Sequence, residues 1–239
     1  MSSPLPPALA ATDRRGFFKR AGLGLGVAAA ATTLQACDTN DDDDDAGAVT
    51  LDFSSDVGVL NYAYALEQLE AAFYSAVVAD AGFGSTFNAD EQAVLRALSA
   101  HENIHRDFFA TAIQQAAGAA AVLPDLEVDF SAVNLSDRRS VLEAARTFED
   151  TGVGAYNGAG RYLESADYLL IAGKIVSVEA RHASVIAGLL ETNAIGGTRI
   201  GGGSQIDGNG LDPAYTPSEV LGAVDPFVRT VIRAVNVPS

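Results

Sequence analysis

Four stretches of this chain carry apolar residues at alternating steps of three and four, and each row has a glutamate at its middle. Steps of three and four are the period of a helix face and not of a strand. The first row is Leu60, Tyr64, Glu67, Ala71, Tyr74 and Val78, and the second is Leu95, Leu98, Glu102, His105, Phe109 and Ala112. The third is Leu142, Ala145, Glu149, Gly152, Tyr156 and Leu163, and the fourth is Tyr168, Ala172, Ile175, Glu179, His182, Ile186 and Leu189. Two of the rows place a histidine three residues after the glutamate, and none contains a lysine or an arginine.

Amphipathic helices of this length bury their apolar faces against one another, so the pattern predicts an all-α four-helix bundle with a common seam. Such a seam encloses four carboxylates, each costing on the order of several kcal/mol unless positive charge offsets it. Two divalent cations supply the four positive charges that four carboxylates require. The i, i+3 spacing of Glu102 with His105, and of Glu179 with His182, projects a carboxylate and an imidazole from one helix face toward one point. Those donors suit iron or manganese, and the single cysteine, Cys37, leaves no thiolate cluster to favour a softer metal.

The boundaries of the four helices are also written locally. Asn88, with Glu91 three residues on, has the form of a capping box that opens the second helix, which runs to about Ala117. Residues 118 to 135, with Pro124 and the alternating run Leu126 to Phe130, break the helical period and predict a long crossover. Ser136 is the candidate cap of the third helix, the fourth begins near Asp167, and Gly196-Gly197 ends it. Beyond a glycine-rich loop, Thr216-Pro217-Ser218-Glu219 has cap, first-turn proline and capping-box glutamate in order, so a short terminal helix or two should follow.

The order Glu67, Glu102-x-x-His105, Glu149, Glu179-x-x-His182 resembles the ferritin-like di-iron carboxylate superfamily, in which two helices give one Glu each and two give Glu-x-x-His. The segment Leu60 to Tyr74 is similar to the exported ferritin-like and desiccation-related group, and the long crossover between the second and third helices matches ferritin-like topology. The resemblance implies two iron ions, or alternatively two manganese ions. It makes Glu67 and Glu149 terminal ligands, Glu102 and Glu179 bridging ligands, and His105 and His182 one nitrogen ligand per metal. It further implies work on O2 or peroxide or the oxidation of Fe(II). The alternatives are a catalase-like di-manganese enzyme and a non-catalytic bundle protecting the envelope under stress.

An internal echo supports this alignment, since Tyr74 follows Glu67 by seven residues and Tyr156 follows Glu149 by seven. It favours Glu67 over Glu70 as the ligand of the first helix and leaves Glu70, Tyr74 and Tyr156 as supporting residues around the ligands. His101 is read as a partner of the site or an exposed residue.

The N-terminal part reads as an address. Arg14-Arg15-Gly16-Phe17-Phe18-Lys19 precedes an apolar run too short to span a bilayer comfortably, the form of a twin-arginine export signal over residues 1–36. The run closes on Leu34-Gln35-Ala36-Cys37, which resembles the lipobox of bacterial lipoproteins and implies lipidation of Cys37. Aspartates 41 to 45 repel one another, so residues 37–55 are expected to be an extended acidic tether. The expected organisation is completed by the bundle over residues 56–193 and an extension over 194–239. Localisation outside the cytoplasm, periplasmic or in the cell envelope, follows as an expectation.

A net charge of −16 makes nucleic acid an unfavourable partner and leaves metal ions, O2 or peroxide, a membrane reached only through the lipid, and a second copy of the chain as expected partners.

Overall fold

The computed structural model describes residues 47–191 and 206–238. Arg14, Arg15, the apolar run, Cys37 and the aspartates 41 to 45 lie outside them, as does the predicted end of the fourth helix at Gly196-Gly197. Four long helices dominate: α1 (Asp56–Ala79), α2 (Ala89–Ala117), α3 (Arg138–Ala159) and α4 (Ala166–Glu191). A shorter helix, α5 (Pro217–Val224), follows near the C-terminus. None of the described helices is long and apolar enough to cross a membrane.

Local chemistry sets the helix ends. Asn88 accepts from the backbone N–H groups of Asp90 and Glu91, and Glu91 returns a bond to the Asn88 N–H at 3.0 Å, closing the predicted box. Thr216 and Glu219 do the same at α5, with Pro217 in the first turn. At α3 the cap is Asp137 and not Ser136: its carboxylate accepts from Ser140 N at 2.7 Å, and the helix starts one residue later than predicted. Asp outranks Thr and matches Ser as a cap, so the two neighbouring candidates were separable only by the backbone path.

α1 is buried along nearly its whole length, as a helix surrounded by others must be. Phe73 sits at its centre in edge contact with Tyr74, Phe130 and Phe148, at centroid distances of 5.2, 5.5 and 4.9 Å. Two buried amides on α1 hold the crossover. Asn61 donates to Ala121 O at 2.8 Å and accepts from Leu123 N at 3.0 Å, while Gln68 donates to Pro124 O at 3.2 Å and accepts from Leu126 N at 2.8 Å. These bonds give partners to crossover backbone groups that lie against α1.

The acidic tether ends earlier than residue 55. Val49–Asp52 form a strand, β1, paired in parallel with β2 (Ile232–Val235), with Val49 opposite Ile232 and Leu51 opposite Ala234. Leu51 and Phe53 are fully buried in the bundle core, an anchorage that a solvated spacer would lack. The crossover joins this end of the molecule too, for Arg229 N donates to Glu127 O at 2.8 Å and Asp129 N to Phe227 O at 2.9 Å.

The C-terminal segment also straps α3. Tyr215 N donates to Gly154 O at 2.9 Å, and a Cβ built at Gly158 would lie 1.8 Å from Tyr215 O. Only glycine permits that approach of two backbones.

Candidate metal centre

Glu67 on α1, Glu102 and His105 on α2, Glu149 on α3, and Glu179 and His182 on α4 converge midway along the bundle. The four glutamates have no exposed surface, and His182 retains 4%. His105 Nδ1 lies 2.8 Å from Glu179, 3.3 Å from Glu102 and 3.4 Å from Glu67. His182 Nδ1 lies 2.7 Å from Glu102, 3.4 Å from Glu179 and 3.5 Å from Glu149. The donor atoms fall into two groups, each within 4.8 Å throughout: Glu67, Glu102, His105 and Glu179 form one, and Glu102, Glu149, Glu179 and His182 the other. Glu102 and Glu179 belong to both.

Hydrogen bonding does not explain this crowding. One imidazole nitrogen carries at most one hydrogen, yet each Nδ1 faces three carboxylates. Apart from these crowded imidazole contacts, Glu67 Oε2, Glu102 Oε1, Glu149 Oε2 and both Glu179 oxygens are buried without a hydrogen-bond partner. An unsatisfied buried polar atom costs about 1–3 kcal/mol, so this many in one place is far outside what ordinary packing tolerates. Cations between the groups would satisfy all of them, and the oxygen and imidazole donor set fits hard and borderline divalent metals. The residues therefore fit the pair of metal ions expected from the sequence.

Electrostatics points the same way. Burial pushes the Glu67 carboxyl well above its usual range, with repulsion from Glu179 and Glu102 adding to it against the pull of His105. Burial likewise raises Glu149 to about 8, although the His182 contact opposes it. Glu102 is buried as well, but bonds from both imidazoles outweigh that and hold it at about 2. Burial pulls His105 and His182 down, yet the carboxylates facing each Nδ1 win and push both up to about 12. Protons on these groups thus take the positive role that cations would fill, and cation binding must expel them.

The surrounding residues hold the glutamates in place. Tyr74 of α1 donates its hydroxyl to Glu149 of α3 at 2.6 Å, and Tyr156 of α3 donates to Glu67 of α1. Burial, with the adjoining carboxylate charge, raises both phenols well above their usual range, so both remain hydrogen donors. His101, an exposed residue, stacks on His182 at 5.2 Å with its Nδ1 2.9 Å from His182 Nε2. It is both of the things expected of it, and all three histidines of the chain meet here. Glu70 lies one turn beyond Glu67 and outside both donor groups. Beside the centre, Leu60, Ala63, Leu66, Phe109 and Tyr156 line an apolar cavity of about 20 Å³, room for one very small molecule.

A sequence profile of the ferritin-like domain matches residues 55–192. No curated protein matches the chain.

Proposed function

The chain belongs to the ferritin-like domain family, and on that basis we propose that it holds a pair of iron ions and reacts with O2 or peroxide outside the cytoplasm. The observation that carries this reading is the shared pair Glu102 and Glu179, which places two donor groups side by side with one imidazole in each. When bound, adjacent metal ions of this kind supply two electrons as a unit to an oxidant.

The remaining work falls to the chain itself. Glu67 and Glu149 cap the two ends of the cluster, each fixed by a tyrosine from the opposite helix. The full burial of the four carboxylates keeps bulk water from the centre and strengthens every charge interaction within it. His101 fixes the ring of His182 from outside, as partners of metal-binding imidazoles commonly do. The apolar cavity against Tyr156 suits a small apolar oxidant, which favours O2 as the molecule admitted.

The donor set accepts manganese as well as iron, so elemental analysis of protein taken from its native compartment is the deciding measurement. Two iron ions per chain, with an absorbance change when the reduced protein meets O2 or peroxide, is the expected result. A metal-loaded protein silent to both oxidants would replace this reading with the non-catalytic, stress-protective one. Export and anchoring rest on Arg14, Arg15 and Cys37. Cys37→Ala should move the protein from the membrane fraction to the soluble one, and retention in the membrane would refute the anchor.

A further inference from the structure

One side of the proposed dinuclear centre lies close to solvent. α1 is held beneath the crossover and α3 beneath the C-terminal segment, whereas α2 and α4 present exposed faces. Among the six proposed ligands only His105 and His182 reach the surface, and they stand on these two helices. His101, itself exposed, stacks on His182 and sets its Nδ1 2.9 Å from His182 Nε2. A single side-chain contact thus joins solvent to the imidazole whose other nitrogen faces Glu102, Glu149 and Glu179.

Two rows of side chains border that contact. On α2, Ala97, His101, Ile104 and Phe108 follow at steps of four, three and four and so share a face. On α4, Lys174, Val178, Arg181 and Val185 follow at the same steps, with Val178 and Val185 one turn to either side of His182. Ile104 is 62% exposed, Lys174 and Arg181 are exposed, and Phe108, Val178 and Val185 are half-buried. The rows hold a lysine, an arginine and no carboxylate, in a chain of net charge −16. Salt screens charges beyond about 8–10 Å, so a molecule resting here meets these cations rather than the distant acidic surface. A second copy would bring Lys174 and Arg181 against themselves, so the face suits an acidic partner and not self-association.

Resting on the dinuclear reading, we propose that this face docks an acidic one-electron carrier protein, whose electrons enter through His101 and His182. Reduction of one peroxide breaks its O–O bond, takes up two protons from solvent and two electrons, and releases two water molecules. The sequence has a single cysteine, so no thiol pair within it can supply those electrons. Two carriers, each oxidised by one electron, meet the requirement. An exposed apolar residue with cations beside it, and small side chains such as Ala97, make a surface for the small, transient encounters that electron transfer uses. Lys174 and Arg181 steer the carrier, Ile104 and Phe108 give it apolar contact, and His101 is the point of closest approach to the centre.

A small acidic iron–sulfur ferredoxin is the probe, used with the full chain carrying its metal pair. Calorimetry should find it bound at about 50 mM salt and released at about 300 mM, because screening weakens the attraction. Reversing both cations, as Lys174→Glu with Arg181→Glu, should weaken that binding at least about 10-fold, and Ile104→Glu should do the same. Stopped-flow reduction of the oxidised protein by reduced ferredoxin should slow by a similar factor. Metal content and melting temperature equal to wild type show that the variants are folded. Unchanged ferredoxin binding in the variants, or none by wild type, would overturn the inference and leave the dinuclear reading standing. Should wild type ignore ferredoxin but bind vesicles of phosphatidylglycerol and phosphatidylcholine, with that binding lost in the variants, the face is a lipid contact instead. Failure of wild type to hold two metal ions would overturn both readings.

Discussion

Tyr74 on α1 donates its hydroxyl to Glu149 on α3 across 2.6 Å of buried space, and Tyr156 on α3 donates to Glu67 on α1, so each helix holds a buried carboxylate of the other. Tyr74→Phe removes that bond and nothing else of comparable size. Stability of the metal-free protein in urea should fall by about 1 kcal/mol. Metal stoichiometry should stay at its wild-type value while affinity drops about 10- to 100-fold. A variant that binds no metal at all would mean the tyrosine is itself a ligand.

Glu102 contributes to both donor groups, whereas Glu67 contributes to one. Glu102→Ala should therefore abolish binding of both cations, and Glu67→Ala should leave one. Equilibrium dialysis followed by elemental analysis distinguishes the two. Binding to the folded state alone also stabilises it, by about 2.7 kcal/mol at a hundred times Kd, so a chelator should lower the melting temperature of wild type and leave Glu102→Ala unaffected. Equal stoichiometry in both variants would dismantle the shared-ligand arrangement.

Metal-free stability and metal affinity should respond to pH with opposite signs. Glu149 is raised from 4.5 to about 8, and both imidazoles from 6.5 to about 12. Groups raised on folding stabilise fully below their unfolded values and lose that contribution as pH climbs through the folded ones. Glu102, held at about 2, contributes in the other sense, and its share is lost only as pH falls from 4.5 through that value. The metal-free protein should accordingly melt at a lower temperature at about pH 8.5 than at about pH 6. Because cations displace these protons, affinity should rise over the same interval, with proton release measurable by calorimetry in buffers of different ionisation enthalpy. A metal-free melting temperature that climbs toward alkaline pH would contradict the protonation pattern.

Gly158→Ala is a test of the strap across α3. Alanine gains about 1 kcal/mol of helix propensity over glycine, but forcing a methyl group into packed backbone costs about 1–3 kcal/mol. At 1.8 Å from Tyr215 O the clash should dominate. The variant should be destabilised and should release its C-terminal segment to protease sooner than wild type, with α1 to α4 remaining resistant.

The convergence of Glu67, Glu102, His105, Glu149, Glu179 and His182 was legible because two independent constraints coincide on them. Helical period places them on inward faces, and charge burial demands a reason for their being there. The capping boxes at Asn88 and Thr216 were legible because they are closed within four residues. What escaped was non-local or depended on backbone path. Asn61 and Gln68 lie among apolar residues of α1, and only the folded crossover reveals that their amides serve its backbone. Four-residue strands have too little period to be read, and the pairing of β1 with β2 joins opposite ends of the domain. Gly154 and Gly158 carry no signal of their own within a helical period, and only the folded C-terminal segment brings Tyr215 against them. Gly152, counted as one apolar step in a row, is the vacancy into which Glu70 leans.

The pairing of Val49 with Ile232 closes a long loop that only the strand Ile232–Val235 can complete. Leu51 and Phe53 need that partner strand to stay seated in the core, and contacts between such distant positions form late because loop closure must come first. Maturation of the domain therefore waits for residues 232–235: a nascent chain that stops short of them can wind its helices, but it cannot lock them.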